Sequence, residues 1–334
     1  MSRKLITIST IMTLMSTSVM ADVPNVAADI APIHSLVSKV MDGVGEPKLV
    51  IQSGASPHGY RLRPSEAKAL QDANLIFWMG EELTPWLDGA IDTLASNASV
   101  TSLLDQEGVV LHEFREGALF EAHDHSAHDD QDDHKDHDDH DDHDDQKDHD
   151  DHDDHDDHDD HKDHGGKDPH AWLSPENAKL WLNIIASKLS VADPENAATY
   201  FTNAAAGQVE IEEMVAEVST TLKAVEGGKF VVFHDAYQYF ENDFNFYASG
   251  AISLGDASDP SPARIAEIQK RIQEEGIQCV LAEPQYKRGL VATVMEGSEA
   301  TASVIDPLGA DIKPGPKLYT QLIKNMAKTL RDCL

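Results

Sequence analysis

Positive charge is scarce in this chain. Its 334 residues include 26 Lys and Arg against 60 Asp and Glu, which gives a formal net charge of −34 at pH 7. A basic patch that could bind nucleic acid is therefore not expected, because such partners are recognised through clustered Lys and Arg. A glycine-rich phosphate-binding loop of the Walker type is also missing, so the chain does not carry an ATPase site of its own.

Long apolar runs are missing after the N-terminus. The one apolar stretch near the start, 5–15, follows Arg3 and Lys4 and is too short to span a bilayer. Small residues ending at Ala21 complete the pattern of a secretory signal peptide over 1–21. No cysteine directly follows the predicted cleavage site, so we expect no lipid anchor. The signal peptide itself predicts export of the chain to a bacterial periplasm.

Cysteine is almost absent, with Cys279 and Cys333 as the two in the chain. In an oxidising compartment, two cysteines far apart in sequence favour a disulfide over two free thiols. Such a bond would connect the last helix to a core strand. Binding of a metal ion by the two thiols is the alternative.

Histidine, in contrast, is concentrated in one acidic tract at 121–164. This tract carries 23 Asp and Glu and three Lys, a net charge of −20, and it holds 13 of the 18 histidines of the chain. These are His123, His125, His128, His134, His137, His140, His143, His149, His152, His155, His158, His161 and His164. Imidazoles beside carboxylates favour zinc, copper or nickel, so we interpret the tract as an auxiliary metal-binding loop. A solvated acidic loop is the alternative interpretation. Because like charges repel, we expect the insert 121–167 to be disordered without metal.

Apolar runs alternate with helical patterns in two similar halves of the chain. Buried strands are predicted at 25–28, 49–52, 75–79, 100–103, 230–233, 247–253, 278–282 and 302–305. Helices are predicted between them, beginning near Pro32, Pro64, Leu83, Ala236, Pro262 and Lys287. This alternation predicts an α/β fold with two parallel sheets and helices on both faces.

One long helix is predicted between the halves, at 194–225. Asp193 would be its N-cap, Pro194 its first residue, and Gly227 with Gly228 its end. A helix of about 30 residues spans roughly 45 Å and would be a rigid connection. We therefore expect an N-terminal lobe at 22–193, a linking helix at 194–226 and a C-terminal lobe at 227–334.

Four polar residues outside the tract follow predicted strands or begin helices. His58, His234 and Asp306 come just after strands, and His170 lies where the acidic tract ends and a helix begins. Side chains at the carboxyl ends of parallel strands meet in the crevice where open α/β sheets bind ligands. Three imidazoles suit zinc, whereas manganese prefers oxygen-rich sites, so a zinc site is predicted there. A structural role is predicted for His34, His112 and Glu283.

Four motifs resemble the metal-binding solute-binding proteins of bacterial ABC importers, in particular the zinc-specific periplasmic members of the ZnuA type. They are SPHGY at 56–60, PHAWLSP at 169–175, FHDAY at 233–237 and DPLG at 306–309. A histidine- and aspartate-rich insert before the second motif is similar to that of the zinc importers, and the two cysteines match a disulfide of the same subgroup. The resemblance covers essentially the whole chain after residue 21.

The resemblance implies two (β/α)4 lobes joined by a backbone helix, with the ion held in the cleft between the lobes. His58 and His170 would ligate zinc from the first lobe and His234 from the second. Manganese-binding relatives have a carboxylate where His234 stands. Some zinc members have Glu directly before the first histidine, where this chain has Pro57. The fourth ligand would therefore be Asp306 or water.

The predicted function is that of a monomeric periplasmic zinc receptor, which is not an enzyme. It would pass zinc to a membrane permease, driven by a separate ATPase subunit, and the tract would collect zinc, sense it or dock the permease. A zinc hydrolase is one rival, since three histidines with an open position also describe catalytic zinc. The absence of an HExxH motif speaks against it. An extracellular metal store or adhesin is the other rival.

Overall fold

The computed structural model describes residues 23–115, 166–253, 260–286 and 288–334. The predicted signal peptide and the thirteen histidines of the tract lie outside these residues. Of the predicted insert, the last two residues, 166 and 167, fall within them.

The first half forms a parallel sheet of four strands with the order β2-β1-β3-β4. The strands are β1 (Val26–Ala28), β2 (Lys48–Leu49), β3 (Leu75–Trp78) and β4 (Ser99–Ser102). The connecting helices are α1 (Ala31–Val40), α2 (Pro64–Asp72) and α3 (Pro85–Leu94), followed by α4 (Pro175–Ala192). Each of these helices has proline in its first turn, where the missing N–H has no intrahelical partner to lose.

The second half repeats this arrangement in a parallel sheet with the order β6-β5-β7-β8. Its strands are β5 (Phe230–His234), β6 (Ala251–Ser253), β7 (Cys279–Ala282) and β8 (Thr301–Val304). The helices are α5 (Ala197–Lys223), which precedes the sheet, α6 (Gln238–Phe244), α7 (Pro262–Glu275), α8 (Arg288–Val294) and α9 (Leu318–Cys333). The predicted fold of two parallel α/β sheets with a long helix between them is confirmed.

Strand β5 shows how alternation assigns side chains to two cores. Phe230 and Val232 belong to a large core that also contains residues of the first half, whereas Val231 and Phe233 belong to a smaller core under α7 and α8. Since successive side chains of a strand point to opposite faces, the strand's last residue, His234, shares the face of Phe230 and Val232. The strand therefore directs His234 toward the first half.

The long helix begins differently from its prediction. Residues Pro194–Asn196 form a 3₁₀ turn, and α5 runs from Ala197–Lys223, a length of about 40 Å at 1.5 Å per residue. Asp193 does not cap the backbone with its side chain. Its carboxylate instead accepts hydrogen bonds from the Asn196 amide at 2.7 Å and the Tyr200 hydroxyl at 2.8 Å. Asp193 therefore occupies the predicted N-cap position, with Pro194 first in the turn, but its side chain binds other side chains and not a backbone N–H.

Helix α9 gives the halves a second connection. It packs against α1 and α5 as well as β8. The Tyr319 hydroxyl donates to the carbonyl oxygens of Trp172 at 3.0 Å and Ser174 at 3.2 Å, and the Tyr319 N–H donates to the Ser35 hydroxyl at 3.0 Å. The two halves are thus joined by more than the linking helix.

The predicted disulfide is confirmed. Cys279 at the start of β7 is bonded to Cys333 at the end of α9 across 54 residues. The bond ties the last helix to the second sheet and leaves no thiol for a metal.

Among the helices in the described parts of the chain, none combines the length and the apolar character needed to cross a membrane.

Candidate metal centre

Three histidines from separate segments converge in the cleft between the two halves. The nearest ring nitrogens of His58, His170 and His234 all lie within 4.8 Å of one another. The ring centroid of His170 is 5.7 Å from that of His58 and 5.3 Å from that of His234. The ring of His170 thus lies near both of the other rings. In the described ranges, this is the one group of three or more potential ligand side chains at such distances.

His58 lies on the loop between β2 and α2 and is half-buried. The indole N–H of Trp86, on α3, donates to the carbonyl oxygen of Pro57 at 2.7 Å. Because Pro57 immediately precedes His58, this bond holds the loop against the first half. The ring of Tyr60, in the same loop, lies 5.9 Å from that of Trp86 and adds a second contact with α3.

His170 is buried and begins the 3₁₀ turn Ala171–Leu173. Its Nδ1 lies 2.7 Å from Asp168 Oδ1, and its backbone N–H donates to the same oxygen at 3.0 Å. Two bonds to one carboxylate oxygen hold both the backbone and the ring. The indole of the neighbouring Trp172 donates to the Pro307 carbonyl at 2.9 Å, which ties this turn to the second half.

His234 ends β5 and is buried. Its Nδ1 lies 2.6 Å from Oε1 of Glu283, which directly follows β7, the neighbouring strand. Tyr286 covers the ring at 5.4 Å between centroids and stacks on Phe233 at 4.3 Å. The carboxylate and the aromatic side chain together hold the imidazole in one orientation.

Asp306 does not belong to this group of three. Its Oδ1 accepts the backbone N–H groups of Leu308 and Gly309 at 3.0 Å each, and its Oδ2 accepts that of Ala310. The carboxylate therefore stabilises its own loop, whose residues Pro307 and Leu308 line the cleft. These three backbone bonds hold the Asp306 carboxylate against its own loop.

The arrangement of donors fits a zinc ion. When a carboxylate binds Nδ1 of an imidazole, Nδ1 carries the proton and Nε2 keeps a lone pair for the metal, as in many histidine–metal sites. Asp168 and Glu283 bind His170 and His234 in this way. Three neutral imidazoles supply three positions of a tetrahedral zinc shell, and two nearby carboxylates offset the charge of a divalent cation. The site could therefore bind a cation without a large protein rearrangement.

The two carboxylates had different signals in the sequence. Glu283 was predicted to have a structural role that braces the cleft, and its bond to His234 agrees with this role. Asp168 directly precedes the PHAWLSP motif and had no predicted role. Its position two residues before a candidate ligand, with a proline between, was the available signal.

The remaining histidines described by the structure lie outside the group. His34, on α1, has Nε2 at 3.1 Å from the Pro47 carbonyl, and burial lowers its pKa below the ordinary value. The ring of His112 is tilted against that of Tyr239, with ring centroids 4.6 Å apart. Both contacts agree with the predicted structural roles.

Comparison with known proteins gives consistent relationships. The chain matches the family model described as zinc-uptake complex component A, periplasmic, over residues 26–333. It is 50% identical over 309 residues to the high-affinity zinc uptake system protein ZnuA of Brucella abortus (strain 2308), covering 92% of this chain and 91% of that protein. It is 47% identical over 315 residues to the protein of that name from Paracoccus denitrificans, covering 94% and 93% of the two chains.

Solved structures show the same fold at lower identity. A crystal structure of ZnuA has a TM-score of 0.68 at 20% identity, covering 92% of this chain and 99% of that chain. A zinc-bound ZnuA deletion mutant has a TM-score of 0.69 at 21% identity, covering 93% and 98%. With the family model spanning nearly all of the chain and relatives at about half identity, this protein belongs to the ZnuA family of periplasmic zinc-uptake components.

Proposed function

We propose that this chain is a periplasmic receptor that captures one zinc ion with His58, His170 and His234 and delivers it for uptake. The observation that carries the proposal is the convergence of three imidazoles within 4.8 Å, two of them bonded to carboxylates. Relatives named as high-affinity zinc uptake proteins at about 50% identity support the choice of zinc. Zinc is the cargo in this proposal, and no catalytic step is involved.

We propose as partners the permease and ATPase subunits of an ABC importer. The family is described as a periplasmic component of a zinc-uptake complex, which requires further subunits to move the ion across the membrane. The receptor would act as a monomer with lobes at 22–193 and 227–334, released into the periplasm by cleavage after Ala21 and without a lipid anchor.

The fourth zinc ligand is proposed to be water or Asp306. Water fits the present arrangement better, because both carboxylate oxygens of Asp306 accept backbone N–H groups. Glu283 is bonded to His234 and enters the cleft lining, so it is the carboxylate to compare with Asp306. Zinc affinity measured for Asp306→Asn and Glu283→Gln would separate a ligand from a residue that only supports its neighbours.

For the tract at 121–164 we propose a weak, multivalent zinc collector beside the cleft. Many low-affinity sites close to one tight site raise the local zinc concentration without any new contact in the cleft. A zinc-bound ZnuA deletion mutant among the structural neighbours supports the separation of the tight site from other parts of such a chain. Sensing of excess zinc or docking of the permease would use the same residues.

Zinc titration by calorimetry tests the proposed function, with manganese and copper as control ions. Three proteins are compared: the chain without residues 1–21, the same chain lacking 121–164, and a His58→Ala, His170→Ala, His234→Ala triple variant. We expect one tight site that survives deletion of the tract and is lost in the triple variant. Tight binding that disappears with the tract would contradict the proposal and would make the protein a histidine-rich metal buffer.

A further inference from the structure

The described residues on either side of the tract pair with each other. Glu113 forms an antiparallel bridge with Lys167, the Asp168 N–H donates to the His112 carbonyl at 2.8 Å, and the Phe114 N–H donates to the Gly166 carbonyl at 3.4 Å. We call the paired segments 112–115 and 166–168 the insert base. Its position is determined by these backbone bonds and by its contacts with the second half.

Arg115, the last described residue before the tract, forms ion pairs with the second half of the chain. Its Nε lies 3.0 Å from each carboxylate oxygen of Asp235, and its Nη1 lies 2.6 Å from Glu241 Oε2. The Asp235 and Glu241 side chains are 5% and 1% exposed, and that of Arg115 is 16% exposed. The single positive charge of the guanidinium therefore pairs with two carboxylates that are withdrawn from water and lie more than 100 residues away in sequence.

The insert base also binds Tyr239 on α6. The His112 N–H donates to the Tyr239 hydroxyl oxygen at 3.0 Å, and that hydroxyl donates to the Asp168 carbonyl at 2.7 Å. Asp168 in turn holds the ring of His170. These bonds connect α6 of the second half to the residue that orients a histidine of the first half.

The contacts of the insert base reach the neighbours of two histidines in the cleft. Asp235, which Arg115 binds, directly follows His234, and Asp168 lies two residues before His170. The ring centroids of His170 and His234 are 5.3 Å apart, so a shift between the halves at this point would change the distance between their nitrogens. Metal affinity depends on ligand positions within a few tenths of an ångström.

We propose that Arg115 is a positioning residue that clamps the insert base to Asp235 and Glu241, and thereby holds His170 and His234 at the separation that retains zinc. The inference rests on the proposed zinc site. A guanidinium is suited to this role, because its planar donors bind two carboxylates in a defined geometry, which an ammonium does not reproduce. Loss of Arg115 would leave two buried carboxylates of the second half without their cation and would remove the ion pairs that attach the insert base to them. Zinc would then leave the cleft faster.

The test measures the rate at which zinc leaves the full exported chain, loaded with one equivalent, when a chromogenic chelator is added in excess in a stopped-flow instrument. Arg115→Lys keeps the charge but not the planar fork. A second variant, Arg115→Met with Asp235→Asn and Glu241→Gln, removes the clamp without leaving a buried charge unpaired. Arg115→Ala is not used, because it would leave both buried carboxylates without a cation.

Two control variants lie away from the cleft residues. Val294→Ala shortens a fully buried side chain of the smaller core and lowers stability without altering the insert base. Lys39→Met removes an ion pair between α1 and α5. Urea unfolding of each variant in EDTA shows whether the stability losses are comparable.

We expect zinc release about tenfold faster in both Arg115 variants, in the range typical for residues that orient metal ligands, and little change in the controls. An unchanged rate in both Arg115 variants, or an equal acceleration in Val294→Ala, would overturn the clamp. The His58→Ala, His170→Ala, His234→Ala variant separates this failure from failure of the zinc site. If the unaltered chain released zinc as fast as that triple variant, both the zinc site and the clamp would be overturned.

Discussion

The two halves share one sheet topology but hold their histidines in different ways. Strand orders β2-β1-β3-β4 and β6-β5-β7-β8 are equivalent. The second half delivers His234 from the end of a central strand, whereas the first half delivers His58 and His170 from a loop and a 3₁₀ turn. A repeated scaffold therefore brings ligands to the same edge, while the local backbone decides how firmly each is held.

Stabilisation of the halves differs as well. The disulfide lies wholly in the second half, between β7 and α9, and that half has its own smaller core under α7 and α8. The first half packs in the large core together with α5, α9 and one face of the second sheet. We infer that covalent closure supports a half with a divided core, whereas packing alone supports the other.

Removing the disulfide should give the largest effect. In the chain-entropy account, the bond that closes this 54-residue separation contributes roughly 4 kcal/mol to the free energy of unfolding. We expect Cys279→Ser with Cys333→Ser to lose about that amount in urea unfolding, with the loss concentrated in the second half as measured by amide exchange. If amide protection were lost equally in both halves, the halves would unfold as one unit. The disulfide would then not stabilise the second half more than the first.

Replacement of single histidines should show how the halves share the site. Residues that orient a metal ligand typically contribute about 10- to 100-fold in affinity, so loss of a ligand itself should cost more than about 100-fold. We expect His170→Ala and His234→Ala, both buried, to weaken zinc binding more than His58→Ala, which is half-buried and lies on a loop. Competition with a chelator of known affinity measures this, and His34→Ala, a buried histidine outside the group, is the matched control. An equal loss for all three would show that burial does not rank the ligands.

The carboxylates that bind the histidines should give a smaller effect. Asp168→Asn and Glu283→Gln keep the size of each side chain but remove the charge that orients the imidazole. We expect each to weaken zinc binding about 10- to 100-fold, with Glu210→Gln as a surface control. If Glu283→Gln cost as much as His234→Ala, Glu283 would be a zinc ligand rather than a brace for His234.

Replacement of His34 should give the smallest effect, a change in how the free energy of unfolding depends on pH. This effect arises in the first half. Burial lowers its pKa below the ordinary value of 6.5, so the unfolded chain takes up a proton at a higher pH than the folded chain does. The stability that neutral His34 supports is therefore complete above about pH 6.5 and is lost as the pH falls toward the lowered folded value. We expect His34→Gln to lose less unfolding free energy between pH 7.5 and 5.5 than the unaltered chain does.

Urea unfolding in EDTA at several pH values measures this difference, and EDTA removes the contribution of zinc binding. Ser38→Ala, which removes the weaker neighbour of His34 at 3.4 Å, is the matched control. Identical pH dependence in His34→Gln and the unaltered chain would show that other histidines account for acid sensitivity.

The sequence by itself determined the architecture and the candidate ligands. Apolar runs flanked by proline-initiated helices led to the eight strands, because burial of alternating or continuous apolar residues is a local property of the chain. Residues placed after such strands meet at one edge of a parallel sheet, so His58 and His234 could be proposed without coordinates. The end of the tract marked His170 in the same way.

Only the tertiary structure decided which groups bind one another. Arg115 pairs with Asp235 and Glu241, Asp168 and Glu283 orient two imidazoles, and Asp306 binds its own loop. Asp193 occupies its predicted N-cap position, but only the structure showed that its carboxylate accepts the Tyr200 hydroxyl of the following helix and no backbone N–H. Such pairings depend on how packed elements bring side chains within about 3 Å of each other, a distance that local sequence patterns do not encode.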